Sequence, residues 1–239
     1  MNRITKLKRK ETVIFIIPAF NEEKNITRCI TSWAPVIKSL PFSEMLVVND
    51  GSTDKTKYLL GKLKKKYKFL KIINKINEGH GKTIRSGYDL AVKSKHFWVF
   101  QTDSDCHFTP SDFYKLWDVR NTSPFILGHR ERRDDPFFRK ILTAVIKYWI
   151  TLSFRVHIKD ANIPFRLIKT SYLRKLLPKV KTEVFAPNIH LSILAAKDKI
   201  NLHHIPVEYR NPHKKTNGLK IFNGALQGFF ELVLFSFTL

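Results

Sequence analysis

Short apolar runs alternate with amphipathic segments over the first hundred residues. Four of the runs have the length of buried strands, and they cover 13–17, 45–48, 69–73 and 97–100. Between them, apolar residues recur every three or four positions, which predicts helices from about 22, from about 54, and over 82–92. Strands separated by helices predict βαβ units, and therefore an α/β fold with a mainly parallel sheet flanked by helices.

The alternation loosens after residue 105. Three more strands and one more helix are predicted, the strands over 124–127, 163–168 and 202–209 and the helix over 188–197. A length of 239 residues suits one domain, or one domain with a short appendage. We place the domain at 1–212 and the appendage at 213–239.

Two segments carry a narrow polar stripe on an otherwise apolar helix. In the first, 137–156, polar residues fall in steps of three and four, and the tail repeats this spacing before 232–239 becomes wholly apolar. A membrane-spanning helix needs about 20 apolar residues with few charges, so neither segment is predicted to span. Both match helices that lie in the membrane interface, and the alternative is that both are buried core helices.

Charge is the unusual part of the composition. The chain has 43 Lys and Arg against 20 Asp and Glu, a formal net charge of +23. Such a field implies a polyanionic partner, either nucleic acid or an anionic membrane surface. The chain has none of the usual nucleic-acid-binding modules, and acidic residues at strand ends would repel phosphodiesters. We therefore expect a membrane surface and no nucleic acid, and keep a basic nucleic-acid-binding protein as a remote alternative.

The expected compartment follows from the cysteines and the first apolar run. Cys29 and Cys106 suggest a reducing compartment rather than a disulfide framework or a zinc site. The basic start followed by the run 13–17 imitates a signal peptide poorly, because it has no small-residue cleavage site. We take that run as the first strand, and expect a membrane-associated protein whose site faces the cytoplasm.

Carboxylates follow three of the predicted strands. Glu22 follows the first strand, Asp50 the second, and Asp103 and Asp105 the fourth. In an open α/β sheet, ligands bind beyond the carboxyl ends of the strands. An Asp-x-Asp can hold one hard divalent cation, Mg²⁺ or Mn²⁺, against a diphosphate, with substrate oxygens completing the coordination. The pattern predicts a metal-dependent nucleotide-sugar site, and His107 is a candidate third ligand that would favour Mn²⁺.

A family resemblance rests on ordered motifs. Pro18-Ala19-Phe20-Asn21-Glu22, Asn49-Asp50-Gly51-Ser52-Thr53-Asp54 and Asp103-Ser104-Asp105 resemble the signatures of glycosyltransferase family 2. Gly128-His129-Arg130 and 160–166 look closest to its polyprenyl-phosphate glycosyltransferases. The resemblance covers roughly 11–212. It implies a GT-A type fold, a UDP- or GDP-linked sugar as donor, a polyprenyl phosphate as acceptor, and inversion at the anomeric carbon.

Donor contacts are expected in each of the three motifs. The residues concerned are Pro18, Ala19, Asn21, Glu22, Asp50, Asp103 and Ser104. A glycine-rich turn, Gly79-His80-Gly81-Lys82, precedes a predicted helix and suits a phosphate or a close approach of the backbone to the donor. A helix N-cap is the alternative role for Glu22, and a plain turn is the alternative for the glycine-rich segment.

Arginines indicate the acceptor. Arg130, Arg133 and Arg139 crowd the entry to the first striped helix, and Arg166 follows Asp160. Guanidinium groups suit phosphate oxygens, and a position between a donor site and a membrane helix suits a lipid phosphate. Such a phosphate is already anionic at neutral pH, so it needs no general base. Asp160 is a candidate base if the acceptor is a hydroxyl, and otherwise orients the arginines or the donor sugar.

The catalytic candidates are four side chains: Asp103, Asp105, Arg130 and Asp160. Pro164 stands where the resembled family often has glycine, which leaves the acceptor and the sugar open. The main alternative is a family 2 enzyme that acts on a hydroxyl of a polysaccharide or lipid-linked glycan. A degenerate binding subunit is disfavoured because both aspartates of the Asp-x-Asp are present, and a homo-oligomer is left open.

Overall fold

The computed structural model describes residues 11–130, 137–198, 200–210 and 218–237. These residues form a seven-stranded sheet in the order β3-β2-β1-β4-β6-β5-β7. The strands are β1 Val13–Ala19, β2 Glu44–Asp50, β3 Leu70–Lys75, β4 Trp98–Thr102, β5 Phe125–Arg130, β6 Phe165–Lys169 and β7 His203–Val207. The strands predicted from the apolar runs are all confirmed, each with small shifts of its ends.

Helices cover the sheet and connect its strands. In chain order they are α1 Ile26–Ser39, α2 Thr56–Lys66, α3 His80–Lys93, α4 Phe113–Asp118, α5 Phe137–Phe154, α6 Thr170–Leu176, α7 Pro187–Lys197 and α8 Gly218–Ser236. The short helices α4 and α6 were not predicted, because six or seven residues are too few to develop a helical period in the sequence.

Strand direction decides where the functional residues can meet. Strands β1, β2, β3 and β4 are mutually parallel, and β6 runs antiparallel to both β4 and β5. The carboxyl ends of four consecutive parallel strands therefore lie at one edge of the sheet. The prediction of a mainly parallel sheet flanked by helices is confirmed, and the acidic strand ends converge as expected.

An aromatic cluster joins the two halves of the sheet. Phe100 on β4 lies 5.3 Å from Phe15 and 4.8 Å from Phe165, measured between ring centroids. Trp33 from α1 packs on the same group, 5.3 Å from Phe100. Burying such large rings is among the strongest apolar contributions to stability. The cluster fixes β4, and with it the loop that carries Asp103, against the first βαβ unit.

The two striped helices pack on each other and leave an apolar face outside. Trp149 of α5 lies 5.6 Å from Phe229 of α8, and Phe154 lies 5.8 Å from Phe235. The outward face is defined here as the apolar face, and its members are Ile141, Val145, Tyr148, Leu152, Leu226, Phe230 and Leu234. One side of each helix is thus core and the other exposed. None of the described helices is both long and apolar enough to cross a membrane.

Candidate active site

A cleft of about 410 Å³ opens at the carboxyl edge of the parallel strands. Eight of the predicted site residues line it: Pro18, Ala19, Glu22, Asp50, Gly79, Asp103, Ser104 and Asp105. The first, second and fourth strands each supply part of its wall, because their ends are neighbours in the sheet. Residues separated by more than eighty positions in the sequence therefore face one cavity.

Asp50 is held by three donors at the end of β2. Its Oδ1 accepts from Lys75 Nζ at 2.6 Å and from the Glu78 amide at 3.0 Å, and its Oδ2 accepts from the Gly79 amide at 2.9 Å. Burial alone would raise the pKa of this carboxyl, but the hydrogen bonds from Lys75 and Glu78 outweigh it and lower the pKa. Asp50 therefore presents a fixed anion to the cleft.

Asn21 joins two loops rather than lining the cleft. Its backbone is left-handed, with φ of 52°, and its Oδ1 accepts from the Thr53 amide at 2.8 Å. The Asn21 amide in turn donates to Ser52 Oγ at 3.0 Å. The side chain of Asn21 bonds between the loops that follow β1 and β2, and its contact with the donor stays a prediction.

The Asp-x-Asp places two carboxylates close together in the cleft. Burial, with the neighbouring charge of Asp105, raises the pKa of Asp103 to about 8, although Arg130 acts in the opposite direction. Asp103 Oδ1 accepts a long hydrogen bond from Gln101 Nε2 at 3.3 Å, and His80 Nε2 lies 4.0 Å away. An under-compensated pair of carboxylates fits a divalent cation, which would supply the missing positive charge.

His107 has a different position from the predicted one. Its Nδ1 lies 2.8 Å from Asp105 Oδ2 and 3.3 Å from the Tyr209 hydroxyl, and the ring does not line the cleft. Among the described residues, no group of three or more His, Cys, Asp or Glu side chains is arranged to hold a metal ion. In this arrangement His107 orients Asp105, and its role as a third metal ligand stays a prediction.

Arg130 and Asp160, predicted separately, meet as one ion pair. Arg130 Nε lies 2.7 Å from Asp160 Oδ2, and the two side chains are only 7% and 10% exposed. The guanidinium also lies over the Tyr209 ring, 5.1 Å from its centroid. Of the two roles open for Asp160, the structure matches the one in which it orients an arginine.

Arg166 belongs to the core. Its side chain is fully buried, and its guanidinium donates to the carbonyl oxygens of Ile163 at 3.0 Å, Asn188 at 2.9 Å and Ala161 at 3.1 Å. The prediction that Arg166 binds a substrate phosphate is wrong, because no solvent reaches it and backbone carbonyls already use its donors. It joins β6 to the start of α7.

All three predicted residues of the glycine-rich turn contact other parts of the protein. Any Cβ at Gly81 would collide with the carbonyl oxygens of Val184 and Phe185, so this glycine allows the 184–185 segment to pack on the start of α3. Lys82 Nζ points to Glu183, 3.5 Å away, and lies outside the cleft. Only Gly79 of the three predicted residues in this turn lines the cavity, and its amide already donates to Asp50.

The side chains of two predicted arginines lie outside the described residues. Arg133 falls outside the described residues, and Arg139 lies on α5 with its side chain outside them. Conversely, four residues that were not predicted as site residues also line the cleft: Phe20, Asn77, His80 and Thr83. Lys75 was also missed. Its position at the end of a predicted strand beside the strand of Asp50 was the signal that could have found it.

Comparison with known proteins gives a family and a fold. The family model for glycosyl transferase family 2 matches residues 14–179. An uncharacterised protein of Methanocaldococcus jannaschii is 31% identical over 177 residues, which cover 69% of this chain and 74% of that protein. The dolichyl-phosphate beta-glucosyltransferase of Saccharomyces cerevisiae is 27% identical over 221 residues, or 81% of this chain. The chain spans only 65% of that enzyme's length.

A solved structure shares the fold at low identity. It is glucosyl-3-phosphoglycerate synthase from Mycobacterium tuberculosis in complex with Mn²⁺, UDP-glucose and phosphoglyceric acid. The TM-score is 0.68 at 13% identity, over 98% of this chain and 84% of the other. The expected GT-A type fold is confirmed by this likeness.

Proposed function

The chain belongs to glycosyl transferase family 2, and we propose that it moves a sugar from a nucleoside-diphosphate sugar to a membrane polyprenyl phosphate, with inversion and with a divalent cation. The observation that carries the proposal is the convergence of Asp50, Asp103 and Asp105 in one cleft, with the Arg130–Asp160 pair beside Asp103. It combines a cleft lined by carboxylates with a guanidinium group close to Asp103.

The donor side rests on the cleft wall. A cavity of about 410 Å³ has the volume of ordinary small-ligand sites. Asp50, with its low pKa, is an acceptor for N–H or hydroxyl groups of the nucleoside, and Glu22 lies in the same wall. The structure that shares this fold carries a nucleoside-diphosphate sugar and Mn²⁺, which supports the same class of ligand here.

The cation would be held by Asp103 and Asp105 together with diphosphate oxygens, and Mg²⁺ and Mn²⁺ both suit oxygen ligands. When bound, it would offset the negative charge that develops on the leaving diphosphate. His107 would keep Asp105 in position through the contact of 2.8 Å between Nδ1 and Oδ2. Two carboxylates that repel each other without a cation favour its binding.

The acceptor side favours a phosphate over a hydroxyl. A hydroxyl acceptor needs a carboxylate placed to take its proton, and Asp160, the candidate, is held in its ion pair by two hydrogen bonds from Arg130. A phosphate needs no such base. Its oxygen would attack the anomeric carbon, the bond from that carbon to the diphosphate would break, and the nucleoside diphosphate would leave with the electron pair.

A membrane surface is the proposed location of the acceptor. The apolar face of α5 and α8 exposes large side chains, including Tyr148 at 70% and Phe230 at 60% exposure. A protein with a formal charge of +23 is also attracted to anionic lipid headgroups. Membrane association with the cleft facing the cytoplasm follows as part of the proposal, and the dolichyl-phosphate enzyme among the relatives supports a lipid acceptor.

The test is a transfer assay with the full chain. Purified protein with Mn²⁺ is given UDP- and GDP-linked sugars and either undecaprenyl phosphate or dolichyl phosphate, and lipid-linked product is scored. The matched control is the same polyprenol without its phosphate. We expect product only with the phosphorylated lipid. Transfer to the free alcohol, or to a glycan hydroxyl in preference to either phosphate, would overturn the proposed acceptor.

A further inference from the structure

The base of the donor is constrained by the hydrogen bonds that Asp50 already makes. An ionised carboxylate has about four acceptor positions, two on each oxygen. Oδ1 accepts from Lys75 Nζ at 2.6 Å and from the Glu78 amide at 3.0 Å, so both of its positions are used. Oδ2 accepts from the Gly79 amide at 2.9 Å. One acceptor position on Oδ2 remains for a ligand.

Thr83 leaves that position open. Its hydroxyl lies beside Asp50 and lines the cleft, but it donates to the Gly79 carbonyl oxygen at 2.8 Å. A hydroxyl has a single proton to donate. Thr83 also acts as a hydrogen-bond donor that helps to lower the pKa of Asp50, but its one proton cannot serve Asp50 and Gly79 together. While it donates to Gly79, the remaining Oδ2 position is available to a ligand.

Lys75 cannot leave Asp50 to contact a base. Its ammonium has three donors, and each has an acceptor: Asp50 Oδ1 at 2.6 Å, Glu78 Oε2 at 2.7 Å and the Ile76 carbonyl oxygen at 3.0 Å. The side chain is only 14% exposed. Lys75 therefore occupies one carboxylate oxygen, and its three donors are all used by acceptors within the protein.

Bases differ in how many neighbouring donors they present. Guanine offers two adjacent groups, N1–H and the 2-amino group, which together need both oxygens of a carboxylate. Uracil offers one, N3–H, between two carbonyl oxygens. Cytosine has no proton on N3. A site built to pair with one set of donors and acceptors rejects a ligand that leaves a buried polar group unpaired.

We propose that Lys75 makes this site select uracil over guanine, by occupying Asp50 Oδ1 and leaving a single acceptor for the N3–H group. This inference rests on the proposed function, because it assumes that the cleft binds a nucleoside diphosphate. Asn77 lines the same wall, and its amide can donate to a carbonyl oxygen beside N3. Lys75 is thus a specificity-determining residue that acts through Asp50.

The first measurement is the affinity of the full chain for UDP, GDP and CDP, by titration calorimetry with Mn²⁺ and no lipid. We expect UDP to bind at least about tenfold more tightly than GDP or CDP, the effect of one unpaired buried group. Equal or tighter binding of GDP or of CDP would overturn the base assignment while leaving the proposed function standing. Failure of every nucleotide to bind would contradict the proposed function itself.

A matched pair of variants tests the role of the lysine. Lys75→Met frees Oδ1, so the ratio of GDP to UDP affinity should rise about tenfold. Lys71→Met is the control, because Lys71 lies on the same strand but pairs with Glu44 at the surface, 3.5 Å away. It should keep the wild-type ratio. An unchanged ratio in folded Lys75→Met protein would overturn the proposal.

Asp50→Asn gives an independent readout if Lys75→Met does not fold. Lys75 and the Glu78 amide both donate to the Oδ1 position, so the oxygen of the new Asn is held there and its amide nitrogen takes the Oδ2 position. That nitrogen cannot accept a hydrogen bond from N3–H, so the preference for UDP over CDP should disappear. Folding is checked for each variant by the cooperativity of its urea transition. A folded Asp50→Asn protein that still preferred UDP over CDP by tenfold would overturn the contact on which the selection depends.

Discussion

Arg130 donates two hydrogen bonds to Asp160, from Nε to Oδ2 at 2.7 Å and from Nη2 to Oδ1 at 3.0 Å. This two-point geometry fixes the plane of the guanidinium and saturates the carboxylate from one side. The charge of Arg130 also lowers the pKa of Asp103, so the arginine lies within electrostatic reach of the Asp-x-Asp. Under the proposed function, this ion pair would link the acceptor phosphate to the cation held at the Asp-x-Asp.

The pair should behave as a unit in a double-mutant cycle. Removing one partner of a buried ion pair leaves an uncompensated charge, so Arg130→Ala and Asp160→Ala should each lower the free energy of unfolding by about 3–5 kcal/mol. The double variant should cost less than the sum of the two, since neither charge is then left alone. Urea transitions measure this, and kcat/KM for lipid phosphate should fall most when Arg130 is absent.

A surface pair provides the control for that cycle. Arg210 and Glu208 lie 3.2 Å apart with side chains that are 71% and 53% exposed. Arg210→Ala should therefore change stability by less than about 1 kcal/mol. Additive losses for Arg130 and Asp160 would contradict the coupling that the geometry implies.

The sequence predicted the cleft better than the contacts inside it. The apolar runs identified the strands, and parallel strands necessarily bring Glu22, Asp50 and Asp103 to one edge. Which arginine lies near the Asp-x-Asp depends on packing that the sequence does not encode locally. Arginines are almost always exposed, so a phosphate contact was the reasonable expectation for Arg166, and its burial depends on carbonyl oxygens from distant segments.

The striped helices show the same limit. A polar stripe identifies the side of a helix that avoids lipid and core. The wide apolar surface that remains can pack partly against the protein and partly face outward. Contacts with α8 bury Trp149 and Phe154 of α5, while Tyr148 and Leu152 face outward. The spacing of the polar residues identifies the helix, but which of its apolar residues are buried depends on the elements that pack against it.

Arg166→Lys should be nearly as harmful as Arg166→Met. A guanidinium reaches the carbonyl oxygens of Ile163, Asn188 and Ala161 together, whereas one ammonium cannot span them. Each variant leaves buried carbonyls without donors, at about 1–3 kcal/mol per group. We expect a loss of several kcal/mol by urea unfolding for both. A wild-type midpoint for Arg166→Lys would show that the fork geometry is not needed.

Asp103→Asn and Asp105→Asn should each remove most divalent-dependent turnover. Each change keeps the shape and deletes a charge, so we expect a loss on the order of a hundredfold or more in kcat with no loss of fold. Asp118→Asn on α4, an exposed carboxylate that does not line the cleft, is the matched control and should keep wild-type turnover. Near-wild-type rates for both cleft variants in the presence of a chelator would contradict the metal assignment.

Two glycine substitutions should change the free energy of unfolding in opposite directions. Gly61 lies within α2 with nothing within 4 Å of an added Cβ, so Gly61→Ala should stabilise the protein by about 0.5–1 kcal/mol. Gly81→Ala forces a Cβ into the carbonyl oxygens of Val184 and Phe185, and should destabilise it by about 1–3 kcal/mol. Thermal and urea unfolding measure both. An unchanged free energy of unfolding in Gly81→Ala would mean that the 184–185 segment moves away from the added Cβ without loss of stability.

The apolar face of α5 and α8 should determine attachment to lipid. Tyr148 and Phe230 are 70% and 60% exposed, so Asp at both positions should leave the fold intact and lower the affinity for anionic liposomes. Transfer of each large side chain out of lipid costs about 1.5–3 kcal/mol, which predicts a loss of at least a hundredfold for the pair. Flotation on liposomes measures attachment, and nucleotide affinity on the same protein reports the state of the cleft.

The control substitution is placed on the buried side of α5. Ile150 is 3% exposed, and an unpaired buried carboxylate there costs several kcal/mol, so Ile150→Asp should unfold the chain rather than release it from lipid. High salt separates the two attractions, because it screens basic residues against headgroups but does not weaken buried apolar contact. If the exposed pair of substitutions leaves flotation unchanged and high salt abolishes it, the apolar face is not the lipid contact, and charge alone holds the protein at the membrane.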